Sequence, residues 1–342
     1  MAARTANRKK VTLALQGGGS HGAFTWGVLE TLLADERLEI EGISGTSAGA
    51  MNATVMAEGL MQNGRQGALE SLERFWRKVS GAGRFAPMIR TPLDIAADRW
   101  NMEVQPGYLL FDMVSRFLSP YQFNPLNFNP LLDILDREVD FDLVRGCDQV
   151  QLFISATNVA TGKIRVFRNP ELSPKAVMAS ACLPHLFQAI EIDGEPYWDG
   201  GYMGNPAIFP LIYGCETPDV VLVQVNPLQR ETTPTTMPEI NDRLNEITFN
   251  ATLMREMRAI AFVTELVDAG RLDPARYKRL YVHRVDVPSE MRSLTASSKF
   301  NAEWDFVTYL RDLGRRQAAQ WIDANIDALG VRSTVNVESD YL

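Results

Sequence analysis

Cysteine is scarce in this chain. Cys147, Cys182 and Cys215 are widely spaced, odd in number and without any C-x-x-C pair. That pattern argues against a disulfide framework or a zinc site and fits a reducing compartment. Long apolar runs are missing as well: no window approaches eighteen such residues, so no membrane-spanning helix is expected. The N-terminal MAARTANRKKVTLALQGGG has a basic start, but only five apolar residues precede its glycines. It reads as a flexible tail over residues 1–10 running into a strand, not as the apolar region of a signal peptide. Positive charge is not in excess either. Lys and Arg number 34 against 42 Asp and Glu, a net charge of −8, which disfavours a general nucleic-acid role. No internal repeat, low-complexity tract or carboxylate–histidine cluster at ligand spacing is present, so no metal and no cofactor is expected. A cytoplasmic location is expected, and no basic amphipathic helix establishes peripheral contact at a membrane, which stays open.

What is present suits a folded α/β protein. Apolar residues make up 46% of the 342 positions and charged residues 22%, enough for a sizeable core in one large domain or two modest ones. Val11 to Leu15 and Val220 to Val225 are short continuous apolar runs, as buried parallel strands are. Val150 to Ala156 is another. Leu38 to Ile43 also suits a strand, and Arg279 to Val287 is the last one expected. Helical spacing follows the strands at Val11 to Leu15 and Leu38 to Ile43, over Phe24 to Leu33, Ala48 to Met61 and Gln66 to Val79, and returns over Glu239 to Gly270 and Phe300 to Leu329. Ala160-Thr161-Gly162 and Asp193-Gly194 are hairpin signals, and Ser173-Pro174 opens a short helix. Strands alternating with helices predict a mainly parallel central sheet covered on both faces. From 80 to 130 the pattern is broken by Pro and Gly and carries many aromatics, including Phe111, Phe117 and Phe123. Two readings stand for it: an insertion packed on the core, or a lid whose apolar residues form an acyl-binding wall that touches lipid.

The chemistry is concentrated at two turns. Gly45-Thr46-Ser47-Ala48-Gly49 reads G-x-S-x-G between a strand and a helix. A serine on such an elbow projects its hydroxyl above the sheet edge, beside the N-terminus of the next helix. Upstream, Gln16-Gly17-Gly18-Gly19-Ser20-His21-Gly22 joins the first strand to the first helix. Gly17-x-Gly19-x-x-Gly22 formally matches a dinucleotide fingerprint. That reading wants an acidic residue ending the second strand, where this chain instead runs into the serine elbow. The other use of the turn is an oxyanion hole built from Gly17, Gly18, Gly19 and Ser20, with the Ala48 N–H added. An activated serine needs a base. His21 lies in the glycine turn, His185 follows Leu183-Pro184, and His283 alternates within a strand, so each favours a structural role. Asp199-Gly200-Gly201, delivered by the Asp193-Gly194 hairpin, is the best-placed carboxylate.

The three blocks, in order, resemble those of patatin-like phospholipases, and Ala179-Ser180-Ala181-Cys182-Leu183-Pro184 is similar to that family's A-S-x-x-x-P segment. The resemblance implies a three-layer α/β/α fold with a C-terminal helical extension and a Ser47–Asp199 dyad without histidine. It also implies hydrolysis of lipid acyl esters of the phospholipase A or lysophospholipase type. The catalytic core is then 11–226, with 80–130 as a cap-like insertion and 227–342 completing the same domain. One departure is His21, where the family's loop usually carries Arg or Lys; a partly charged histidine implies a pH dependence. A catalytically weak or inactive protein that keeps this fold to bind lipid or a partner is the alternative.

Overall fold

A computed structural model describes residues 8–83, 90–91, 94–95, 97, 99–103 and 105–342. The first seven residues of the expected tail, and Phe85, Met88, Ile89 and Leu93 of the apolar stretch, lie outside that range. The described chain is built on a sheet of β1 (Lys9–Leu15), β2 (Leu38–Gly45), β3 (Gln151–Asn158), β4 (Ile164–Arg168), β5 (Ile190–Ile192), β6 (Glu195–Asp199), β7 (Asp219–Gln224) and β8 (Tyr281–Asp286). Its order is β5-β6-β3-β2-β1-β7-β8, with β4 on the other edge of β3. The five strands β3-β2-β1-β7-β8 are parallel, and the hairpin partners β4, β5 and β6 are antiparallel. β1 lies inside the parallel block, and its apolar run Val11 to Leu15 is buried throughout. Buried on both faces, it needs no polar alternation.

Helices cover the sheet: α1 (Gly22–Ala34), α2 (Ala48–Gly83), α3 (Pro106–Phe117), α4 (Pro130–Glu138), α5 (Pro174–Ser180), α6 (Met237–Asp268) and α7 (Trp304–Asn325). The two helical stretches expected from 48 to 79 run on as α2, whose backbone leaves helical geometry at Asn63 and at Gly64 (φ 58°). Ser173 caps α5 by accepting from the Ala176 N–H at 3.2 Å, and Asp193 and Gly194, both at positive φ, turn the β5–β6 hairpin. Strand pairing between 187 and 192 begins only at Ile190, because Leu183 to Phe187 forms a turn.

Register positions the site. In the pairing of β1 with β2, Leu15 lies opposite Gly45, and Gly45 in turn lies opposite Ile154 of β3. The glycine turn and the serine elbow therefore leave adjacent parallel strands at one level, at the carboxyl end of the sheet where α/β folds bind ligands. β2 stops at Gly45, but β3 runs on, and β6 takes up the vacated edge with Asp199 opposite Ala156. Gly17, Ser47 and Asp199 each follow two residues beyond, or pair with a residue two beyond, the Leu15–Gly45–Ile154 row.

Candidate active site

Ser47 sits at φ 54°, a left-handed conformation that costs a residue with a Cβ free energy and that the surrounding packing must hold. The Thr46 and Ala48 side chains flanking it are buried, while Ser47 is half-exposed. Its backbone N–H donates to Ser180 Oγ at 2.9 Å. Thr46 Oγ1 donates to the Gly204 carbonyl at 2.7 Å. The A-S-x-x-x-P segment thus acts through Ser180, which fixes the elbow's main chain. Gly45 and Gly49 permit close packing: a Cβ on Gly49 would stand 2.4 Å from the Leu15 carbonyl, and one on Gly45 would stand 2.8 Å from the Gly49 carbonyl.

Asp199 is 1% exposed. Its Oδ1 accepts the Gly201 N–H at 2.7 Å, and its Oδ2 is buried without a hydrogen-bond partner. Burial pushes its pKa up from 3.8 to about 7; the Gly201 N–H, the Ser47 hydroxyl and the positive charge of Lys299 hold it back from rising further. Ser47 is thus close enough to favour the carboxylate, yet short of a well-formed hydrogen bond to it. Gly200 and Gly201 clear space, since Cβ atoms there would stand 2.1 Å from the Ser155 carbonyl and 2.4 Å from the Phe249 ring.

Gly17, Gly18, Gly19 and Ser20 form the wall facing these two residues. Their roles differ from a uniform set of donors. The Gly17 N–H donates to Asn205 Oδ1 at 2.7 Å and is not free to meet an oxyanion. Gly17 is needed for space instead, because a Cβ on it would fall 2.7 Å from the Ser47 Cβ. The N–H groups of Gly18, Gly19 and Ala48 have no acceptor among the described residues. Gln16 braces the turn from behind: its Oε1 accepts the Val225 and Asn226 N–H groups, both at 2.9 Å, and its Nε2 donates to the Asn205 carbonyl at 3.1 Å.

None of the histidines faces Asp199 as a base. His21 is buried, with Nε2 2.8 Å from Ser298 Oγ. Burial, with Lys299 adding to it, lowers the His21 pKa to about 3. The pH dependence expected from a partly charged His21 therefore does not arise: the ring is neutral throughout the neutral range. His283 pairs with Asp219 Oδ1 at 2.9 Å inside the core, and His185 is exposed. The three cysteines are free thiols, and the described residues contain no group of three or more acidic, Cys or His side chains arranged to hold a metal.

Ser47, Asp199 and the glycine turn open onto one cavity of about 400 Å³. Its apolar wall comes from Met51, Phe75, Trp76 and Val79 of α2, from Leu183, Leu186 and Phe187, and from Phe249 and Phe300. Among the described residues, the 80–130 stretch contributes only Ala82, Gly83 and Pro130. The acyl-binding wall expected from the 80–130 stretch is therefore corrected for its described residues, since Phe111, Phe117 and Leu118 do not line the cavity. Phe117 and Leu118 are 80% and 42% exposed, and the Phe111 ring lies edge-on to Phe123 and tilted against Phe300. Among the described residues, proline begins the short helices of that stretch, and Leu109, Leu110, Met113 and Phe117 are exposed. Motif reading also missed Lys299, Asn205 and Asn226, since single polar residues outside any motif carry no local signal.

A family model described as patatin-like phospholipase matches residues 13–212. The chain belongs to the patatin-like phospholipase family. Membership supports lipid acyl hydrolysis as its general chemistry, and the mixed α/β layers with C-terminal helices agree with that fold. No curated protein matches the chain in sequence. Among solved structures, it is similar to VipD from Legionella pneumophila, at 16% identity and TM-score 0.41 over 93% of this chain and 67% of that one. It is also similar to the type III effector protein ExoU, at 15% identity and TM-score 0.33 over 92% of this chain and 53% of that one. The heterodimeric ExoU–SpcU complex from the type III secretion system of Pseudomonas aeruginosa matches at 15% identity and TM-score 0.37, over 94% of this chain and 53% of that one. The chain thus spans about two thirds of VipD and about half of ExoU. No helix among the described residues is long and apolar enough to cross a membrane.

Proposed function

We propose that this patatin-like protein hydrolyses lipid acyl esters of the phospholipase A or lysophospholipase type, with Ser47 as nucleophile and Asp199 as base. The observation that carries the reading is the convergence of a strained serine, a buried carboxylate and unpartnered backbone N–H groups on one apolar cavity. Ser47 Oγ attacks the acyl carbonyl while its proton passes to Asp199. The Gly18, Gly19 and Ala48 N–H groups meet the oxygen that becomes negative; one such donor is typically worth about 3 kcal/mol in the transition state. Collapse of the tetrahedral intermediate returns the proton from Asp199 to the departing alcohol and leaves an acyl-serine. Asp199 then takes a proton from water, the resulting hydroxide attacks the acyl carbon, and the fatty acid leaves as the proton returns to Ser47. A carboxyl titrating near 7 suits these transfers far better than one at 3.8.

The substrate is a lipid in a bilayer or micelle, and the face from Gln105 to Phe128 supports docking there. Leu109, Leu110, Met113, Phe117, Leu126 and Phe128 are all exposed on it. Asp112 and Arg116 are the only charged residues between Gln105 and Leu132, so the stretch is neutral overall. It flanks the cavity from two sides: Tyr108 and Phe111 pack on Phe300, and Asn124 and Tyr121 bond to Gln188 and Ala189 beside Phe187.

A fluorophosphonate probe and a panel of phospholipids, lysophospholipids and neutral esters test the reading against Ser47→Ala. Labelling at Ser47 with turnover of a phospholipid or lysophospholipid, both lost in the variant, is expected. An unlabelled protein without esterase activity would mean a binding protein on the same fold.

A further inference from the structure

Resting on the Ser47–Asp199 reading, we propose that Lys299, outside every recognised motif, is the cation of this active site and keeps Asp199 in its proton-accepting, ionised form. Lys299 lies in the 3-10 turn Ala296–Phe300, which closes over the glycine turn. The fit is tight: a Cβ on Gly19 would stand 2.6 Å from the Lys299 carbonyl, and the neighbouring Ser298 holds His21. The Lys299 side chain forms part of the cavity wall together with Ser47 and Asp199. Its Nζ donates to Asn226 Oδ1 at 2.9 Å and more loosely to Asn245 Oδ1 at 3.4 Å. Among the described residues that form this wall, Lys299 is the only cation and Asp199 the only anion.

The charges around each partner set the direction of the effect. Asp199 is faced by Ser47, the Gly201 N–H, Cys182, Tyr202 and Lys299. Cys182 and Tyr202 are both pushed to about 12, so neither competes as an anion. Burial disfavours the Lys299 ammonium, and Arg230 adds to that, whereas Glu246, Asp242 and Asp199 favour it. Arg230 and Arg243 pair with Glu246, so that carboxylate is shared and Asp242 is left facing the ammonium from α6. His21, neutral by burial, supplies no charge of its own. A desolvated carboxylate that must be ionised to take a proton therefore has one cationic neighbour in the cavity, contributed by the part of the chain beyond the matched family region.

The test is the pH profile of kcat/KM on an uncharged, soluble short-chain ester, p-nitrophenyl butyrate, for Lys299→Met, Lys299→Arg and the wild type. Lys299→Met should move the acidic limb up by about one pH unit, a tenfold loss at pH 6 to 7 that recovers by pH 9. Lys299→Arg should keep the limb in place. Lys299→Met/Asp242→Asn removes the facing carboxylate as well, so a folded variant is available if the single one fails. A uniform loss at every pH, or an unmoved limb, overturns the proposal. Loss confined to charged phospholipids overturns it too, and would make Lys299 a headgroup contact. Ser47→Ala, inactive and unlabelled, tests the underlying reading separately. If no ester is turned over, the Asp199 carboxyl stretch, isolated by infrared difference against Asp199→Asn, still decides: its midpoint must rise in Lys299→Met.

Discussion

At the scale of single residues, Asp199 joins activity and stability through one protonation. Its folded pKa of about 7 predicts that kcat/KM on a neutral ester falls tenfold per pH unit below that point. A profile flat down to pH 5 would remove Asp199 as the base. The same shift has a stability sign. A carboxyl whose pKa is raised on folding from 3.8 to about 7 stabilises the fold fully below 3.8 and loses that contribution as pH rises through 7. Asp199→Asn is therefore expected to be inactive yet more stable than wild type at pH 8.5, by on the order of 2–4 kcal/mol, with the gain gone at pH 4. Denaturant melts at the two pH values check it. Ser47, Asp199 and the glycine turn were legible in the sequence because chemistry constrains short motifs. Lys299 and Asn205 were not, because each works through residues far from it in the chain, Lys299 on Asn226 and Gly19 and Asn205 on Gly17.

At the scale of elements, the elbow and the glycine turn are rigid because backbones touch. Gly17→Ala should reduce kcat by about a hundredfold or more while leaving the melting temperature nearly unchanged, since its Cβ would meet Ser47 at 2.7 Å. An equal loss of stability would point to a packing role instead. Helix α3 carries the other prediction. Leu110→Asp combined with Phe117→Asp should cut flotation with zwitterionic vesicles more than tenfold and leave soluble-ester turnover intact, because both side chains are exposed and outside the cavity wall. Binding that survives the substitutions would assign the face to another role. Sequence spacing identified α1, α2, α6 and α7 readily, since apolar residues recur at helical intervals through each without a proline in the interior. It did not place the 105–128 helices, where proline resets the pattern every few residues and apolar side chains point to solvent.

At the scale of the molecule, the C-terminal hundred residues join the sheet through β8 and pack on α1 through α7. β8 pairs with β7 over Asp219 to Gln224, and α7 packs on α1 so closely that a Cβ on Gly27 would stand 1.9 Å from the Arg311 carbonyl. On the other side, a Cβ on Gly314 would stand 2.0 Å from the Phe24 carbonyl. Gly314→Val should therefore destabilise the protein by about 3 kcal/mol or more, read as a fall in the urea midpoint at unchanged slope. Little change would mean that the helices can separate. A chain ended at residue 226 would uncover β7 and α1 and leave out Lys299 and Phe300, so it should lack both cooperative unfolding and esterase activity.

The sequence by itself determined the strand–turn–helix order, the serine elbow, the acidic hairpin and the family, because these depend on neighbours within a few positions. Only the tertiary structure decided which glycine N–H groups are free, that His21 is neutral, and that Leu109, Leu110, Met113 and Phe117 of α3 are exposed. It also set a lysine from the C-terminal region into the wall of the cavity that holds Ser47 and Asp199. Those outcomes depend on burial and on pairing across the sheet, and free energies of desolvation are set by what surrounds a group, not by its place in the chain.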